Sequence, residues 1–216
     1  MGLWLDGSSS NTITQVYASN TGGTGMGCDN ATDNTISFST FTSASAGYSA
    51  LNIYHSTATE VFDVYAYNPP GIALSVSGAG GSISHSTFTS NNSVYPAFNL
   101  GWAADVAIDG IKASNPSGMA ALIYGSSSTV SRSTFTSAAE GGIALEITQS
   151  SSITVSSVFA SNPDGFGFVI HKSSFSSFSD SEIRGSTAVF VTASTNTLIS
   201  SSSLYGLGAF GSGLLL

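Results

Sequence analysis

The pentapeptide Ser-Thr-Phe-Thr-Ser occurs three times, beginning at Ser39, Ser86 and Ser133, so each copy follows the last by 47 residues. A fixed period of this kind confines the chain to architectures that stack one supersecondary unit on the next. A second unit interleaves with the first: Val16-Tyr17-Ala18-Ser19-Asn20, Val64-Tyr65-Ala66-Tyr67-Asn68, Ile111-Lys112-Ala113-Ser114-Asn115 and Val158-Phe159-Ala160-Ser161-Asn162. One apolar residue leads both kinds of unit, at Ile13, Ile36, Val61, Ile83, Ile108, Val130, Val155, Phe178 and Ile199. Its spacing of 21 to 25 residues makes the structural unit about 23 residues long, with neighbouring units alternating in type.

Each unit also carries an earlier segment with apolar residues two apart, as in Gly71-Ile72-Ala73-Leu74-Ser75-Val76 and Gly142-Ile143-Ala144-Leu145-Glu146-Ile147. Short period-two runs between Ser, Gly, Asn and Pro turns are strands, and no amphipathic helical stretch of useful length is visible. A 23-residue unit cannot bury its own apolar face, so each strand must pair with its equivalent one turn along. The expected fold is all-β: a parallel β-helix, or solenoid, of about nine turns and about 23 residues per turn, spanning 1–216 as a single segment. The Gly-Ile-x-Leu and Ile-x-x-Ser-x-Phe pattern of these turns resembles that of right-handed parallel β-helix proteins of the pectate-lyase-like superfamily, over essentially the whole chain. Gly141-Gly142-Ile143-Ala144, Phe88-Thr89-Ser90-Asn91 and Phe159-Ala160-Ser161-Asn162 are also similar to the GGAI and FxxN signatures of adhesin-type bacterial β-helices. The resemblance implies right-handedness. It spans lyases, glycosidases, epimerases, tailspikes, adhesins and structural fibres, so function must be read from the side chains.

With the leading residue counted as zero, the Val-Ala units place an apolar residue at +3 and Ala at +5, and the Ser-Phe units place Ser at +3 and Phe at +5. Stacked alternately, large Phe lies over small Ala, which suits the close packing of protein interiors. The inward serines Ser39, Ser86 and Ser133 then need backbone partners. Positions +4 and +6 point outward and form a face that includes Tyr17, Thr40, Thr42, Tyr65, Tyr67, Thr87, Thr89, Thr134, Thr136 and Phe159. Three uses are open for it: a strand-forming surface, a contact face for a neighbouring subunit or a glycan, or an ice-binding array of Thr-x-Thr rungs. The last is interrupted on every second turn, at Tyr65, Lys112 and Phe159.

Only 7 % of residues are charged, against about 25 % in an ordinary domain. Four basic residues against twelve acidic ones, a net charge of −8, leave no footprint for a nucleic-acid backbone or an anionic lipid surface. With 41 % hydrophobic residues beside 44 Ser, 21 Thr and 24 Gly, the chain is nevertheless no disordered polymer. No apolar run approaches a membrane span. Cys28, alone in a Gly- and Asn-rich stretch, reads as a loop residue and allows neither an internal disulfide nor a cysteine-based zinc site.

Acid-base chemistry on such a scaffold needs clustered acids, or an acid beside a basic group, on adjoining turns. The outward +2 positions set Asp63 and His85 on neighbouring turns, with Asp109 on the next. His55 and His171 lie in other turns without a carboxylate pair, so no metal or other cofactor is implied. Asn30 and Asn91 begin N-glycosylation triplets in loop-like stretches. The two chain ends fall at one phase of the repeat, which suggests a segment of a longer solenoid or a protomer that self-associates end to end or laterally. The resulting expectation is an extracellular or cell-surface structural or adhesive protein, part of a fibre, stalk or appendage, with glycans as possible ligands. A carbohydrate-active enzyme or tailspike-like fragment is the alternative.

Overall fold

The computed structural model describes residues 1–208 and 211–216. These residues form 26 β-strands and no helix. Strands stack turn upon turn in parallel, in three columns that run along the solenoid. The first sheet opens with Leu3–Asp6, Met26–Asp29 and Ser49–Thr57, the second with Thr12–Thr14, Thr35–Ser37 and Glu60–Phe62, and the third with Tyr17–Asn20, Thr40–Ser43 and Tyr65–Asn68. In the second sheet the leading residues are in unbroken register from Ile13 opposite Ile36 through to Phe178 opposite Ile199. The expected parallel solenoid of about nine turns is the observed fold.

The bore is filled by the expected alternation. Ala18, Phe41, Ala66, Phe88, Ala113, Phe135 and Ala160 succeed one another in register down the third sheet. Phe41, Phe88 and Phe135 are fully buried. The first sheet answers with its own large residues: Phe98 stacks on Phe88 with ring centroids 5.7 Å apart, and Phe168 meets Phe178 of the second sheet at 5.0 Å. Phe98 in turn lies opposite Ala121 of one neighbouring turn and Leu74 of the other, so the first sheet fills its wall with mixed large side chains instead of a strict alternation.

At the corner between the second and third sheets, each inward serine joins two turns. Ser86 Oγ accepts the Val64 N–H at 3.0 Å and donates to the Ser84 carbonyl at 2.7 Å. Ser39, Ser133 and Ser181 repeat both bonds. A second serine ladder, Ser126, Ser150, Ser173 and Ser194, does the same where the first sheet ends. The Asn of each Val-Ala unit also has a structural task. Asn68 Nδ2 donates to the carbonyls of Ser45 and Tyr48, and Asn115 Nδ2 to those of Asn92 and Tyr95, fastening the loop of the preceding turn. In the intervening turns Ser43, Ser90 and Ser137 take this place.

Cys28 is a correction to the sequence expectation. It lies on the strand Met26–Asp29, fully buried between Leu5 and Ile53 of the adjoining turns, and burial pushes its thiol up to about 11. The flanking glycines reflect close backbone packing and the Trp4 ring rather than a loop.

Two substitutions test this account. Phe88→Ala should cost about 3 to 5 kcal/mol in denaturant unfolding, because the Phe98 ring loses its partner and Ala66 and Ala113 cannot fill the space. Ser86→Ala should cost about 1 to 3 kcal/mol, since it leaves the buried Val64 N–H unpaired.

Candidate functional site

The third sheet presents the outward face expected from the repeat. Because strand side chains alternate, the residues flanking each buried Ala or Phe face solvent. Tyr17, Thr40, Tyr65, Thr87, Lys112, Thr134 and Phe159 follow one another in one column. Ser19, Thr42, Tyr67, Thr89, Ser114, Thr136 and Ser161 form the other. Thr42 Oγ1 donates to Ser19 Oγ at 2.8 Å. The rings of Tyr65 and Tyr67 stand 6.3 Å apart and within 12° of parallel. A groove of about 320 Å3 is lined by Tyr17, Ser19, Thr42 and Tyr67 together with the loop residues beside them. Further along, Arg184 packs between the rings of Phe159 and Tyr205 and pairs with Glu182.

The Asp63–His85 row occupies the corner before this face. All nine residues at that corner, Gln15, Phe38, Asp63, His85, Gly110, Arg132, Ser157, Asp180 and Ser201, have left-handed backbones with φ between 46° and 62°. This bend throws each side chain outward, so Asp63 and His85 are exposed on successive turns. Among the described residues no ion pair joins them. Asp109 engages the next turn: the Ser131 hydroxyl, at 2.7 Å, and the Arg132 guanidinium hold its carboxyl below the usual range, and His85 on the preceding turn adds a weaker pull in the same direction. His85 lies beyond this pair, beside Gly110. Asn30 and Asn91 are both exposed, with Asn91 Oδ1 accepting from Ser117 Oγ at 2.6 Å.

Sequence reasoning missed the outer face of the first sheet. Tyr124 lies over Gly101 and Trp102 over Gly125, where a Cβ would collide with either ring, and the two rings meet edge to face at 5.5 Å. Trp4 covers Gly27 in the same way. Each pair is 23 residues apart, so an aromatic residue with Gly one turn away is the signal that could have found them. Beside Tyr124 is Glu146, half-buried between Leu122 and Val169 of the adjoining strands, with no hydrogen bond to a described residue. Burial pushes its carboxyl above the usual range, and nearby His171 opposes that rise. Tyr124, Thr148 and His171 form one column with Glu146 diagonal to both ends, so an acid, an imidazole and a phenol share one patch.

With this geometry in view, the sequence profile described as "Right handed beta helix region" matches residues 1–204. The chain belongs to the right-handed β-helix family. No curated protein sequence matches this family member. Among solved structures, the A-module of a mannuronan C-5 epimerase from Azotobacter vinelandii superposes with a TM-score of 0.69 at 10% identity, covering 96% of this β-helix and 64% of that chain. The tailspike of Pseudomonas phage phi297 gives 0.58 at 15% identity, covering 95% of this chain and 45% of that one. The surface protein and adhesin PfbA of Streptococcus pneumoniae gives 0.51 at 10%, covering 88% and 68%. At these identities the likeness is one of fold, and this β-helix spans under two thirds of the epimerase module and under half of the tailspike. No helix among the described residues is long and apolar enough to cross a membrane.

The half-buried Glu146 sets a pH test. A carboxyl whose pKa is raised on folding gives stability that is present when it is protonated and lost as pH rises past its unfolded value, about 4.3. Glu146→Gln should therefore raise the unfolding midpoint relative to the parent at pH 7, and the difference should vanish below about pH 4. Thermal unfolding of both proteins at the two pH values measures it.

Proposed function

We propose that this β-helix is a module of an extracellular structural or adhesive protein, part of a fibre, stalk or surface appendage, that meets glycans along the outer face of its third sheet. The observation carrying this reading is the pair of exposed, near-parallel rings of Tyr65 and Tyr67 between rungs of paired threonines. Exposed rings offer an apolar platform to the CH face of a sugar, while neighbouring hydroxyls match its rim. Surface exposure is also supported by the adhesin and the tailspike that share the fold. The exposed Asn30 and Asn91 are compatible with attached N-glycans.

A second reading, a carbohydrate-active enzyme, is favoured by the patch of Tyr124, Glu146 and His171 and by the epimerase that shares the fold. The exposed Asp63 and His85, with Asp109 nearby, are its other candidates.

A glycan array followed by calorimetry tests the first reading. The double substitution Tyr65→Ala with Tyr67→Ala should weaken glycan binding about tenfold or more, through loss of two stacking contacts. Unfolding should shift only modestly, by about 1 kcal/mol per site, since both rings are partly exposed on the outer face. Turnover of a polysaccharide that is lost in Asp63→Asn or Glu146→Gln would move the protein to the second reading.

A further inference from the structure

Resting on the glycan-binding reading above, we infer that the third-sheet face takes a neutral polysaccharide in an extended, two-fold conformation, laid along the solenoid axis with one disaccharide for every two turns. The period comes from the alternation of units. Tyr17 pairs with Thr40 and Thr40 with Tyr65, so the two tyrosines stand two rungs apart in one column, about 9.6 Å at the usual strand spacing. In an extended β-1,4-linked chain each pyranose is turned over relative to the last, so alternate rings present the same face and the repeat is a disaccharide, whose length is close to two rungs. A coiled α-linked chain does not repeat in this way.

The rung between the tyrosines fits the same occupant. On the loop side of this strip a groove is bounded by Tyr17 and Tyr67, and within it Thr42 and Ser19 form a hydroxyl pair that can exchange hydrogen bonds with sugar hydroxyls. Tyr17 is 70% exposed, Tyr65 40% and Tyr67 38%, which leaves ring surface open on both sides of the rung. Charge selects a neutral polymer. From Tyr17 to Thr89 neither outward column carries a charge, and Lys112 is the first one met. A polyuronate would meet a body of net charge −8, while a polycation would find only Asp63, at the corner beside Tyr65, along this stretch of the strip.

The test is calorimetry of the full chain with three series of probes, each from disaccharide to hexasaccharide: cello-oligosaccharides, N-acetylated chito-oligosaccharides and malto-oligosaccharides. In one of the two extended series the tetrasaccharide should bind about tenfold tighter than the disaccharide, while the malto series stays weak. Tyr17→Ala should remove that step, so that the tetrasaccharide binds no tighter than the disaccharide. Binding without a length step, or equal binding of the malto series, overturns the inference. If that binding is still lost in the Tyr65→Ala and Tyr67→Ala double variant, the glycan reading survives it. If none of the probes binds, the inference falls, and the wider array then decides the glycan reading separately.

Discussion

The structure depends on one packing constraint: a turn of about 23 residues has a single layer of side chains to fill the bore, and its neighbours on both sides must complete it. On the third-sheet wall a large ring in one turn is followed by a methyl group in the next. Phe41, Phe88 and Phe135 separated by Ala18, Ala66, Ala113 and Ala160 satisfy this on one wall. The first sheet fills its wall differently, with Leu51, Leu74 and Phe98 in succession before Ala121. The two-turn sequence repeat is the record of this complementarity on the third-sheet wall, where dense packing sets ring against methyl.

Packing alone would not hold the corners, where the backbone leaves its sheet and exposes N–H and C=O groups to an apolar interior. Serine solves this with one small side chain that both accepts and donates. Its hydroxyl takes the N–H of the preceding turn and gives its proton to a carbonyl two residues back, at Ser39, Ser86, Ser133 and Ser181 alike. The residue just before each of these serines adopts the left-handed conformation that makes the bend, and so is thrown into solvent. That is why Phe38, Asp63, His85, Arg132 and Ser201 can occupy equivalent positions: the corner asks for a backbone angle and leaves the side chain free. The same reasoning gives Asp63 and His85 a ready place in the fold, whatever chemistry they serve.

A regular bore imposes regular outer faces, and function can be written on those faces at the spacing of the turns. The third sheet alternates paired-threonine rungs with rungs of Tyr, Lys or Phe because the inward alternation of Phe and Ala comes from two distinct units with distinct outward residues. The first sheet uses a different device. Trp4, Trp102 and Tyr124 cover glycines of adjacent turns, and a half-buried carboxyl, Glu146, is placed among apolar neighbours where ionisation is disfavoured. A polar, mostly uncharged surface of this kind suits ligands rich in hydroxyls.

Much of this was legible in the chain. The repeat alone determined the parallel stacking, the register of the leading residues, the Phe-Ala alternation, the inward serines and the membership of the outward third-sheet face. These follow from periodicities of 23 and 2, and a residue's place in a periodic structure is a matter of counting. Tertiary structure decided what counting does not reach. Cys28 sits in a strand because its glycine neighbours accommodate a ring and a close backbone, an arrangement that composition reads as a loop. Asp109 turned to Ser131 and Arg132, since side-chain reach and hydrogen bonding across rungs, rather than order along the chain, choose a partner. Tyr124, Glu146 and His171 come from three turns and share a patch because sheet register carries distant residues onto one diagonal. The chain thus specified the scaffold through local, repeated rules, whereas the sites on it arose from contacts between residues more than 20 positions apart, which become neighbours only once the turns have stacked.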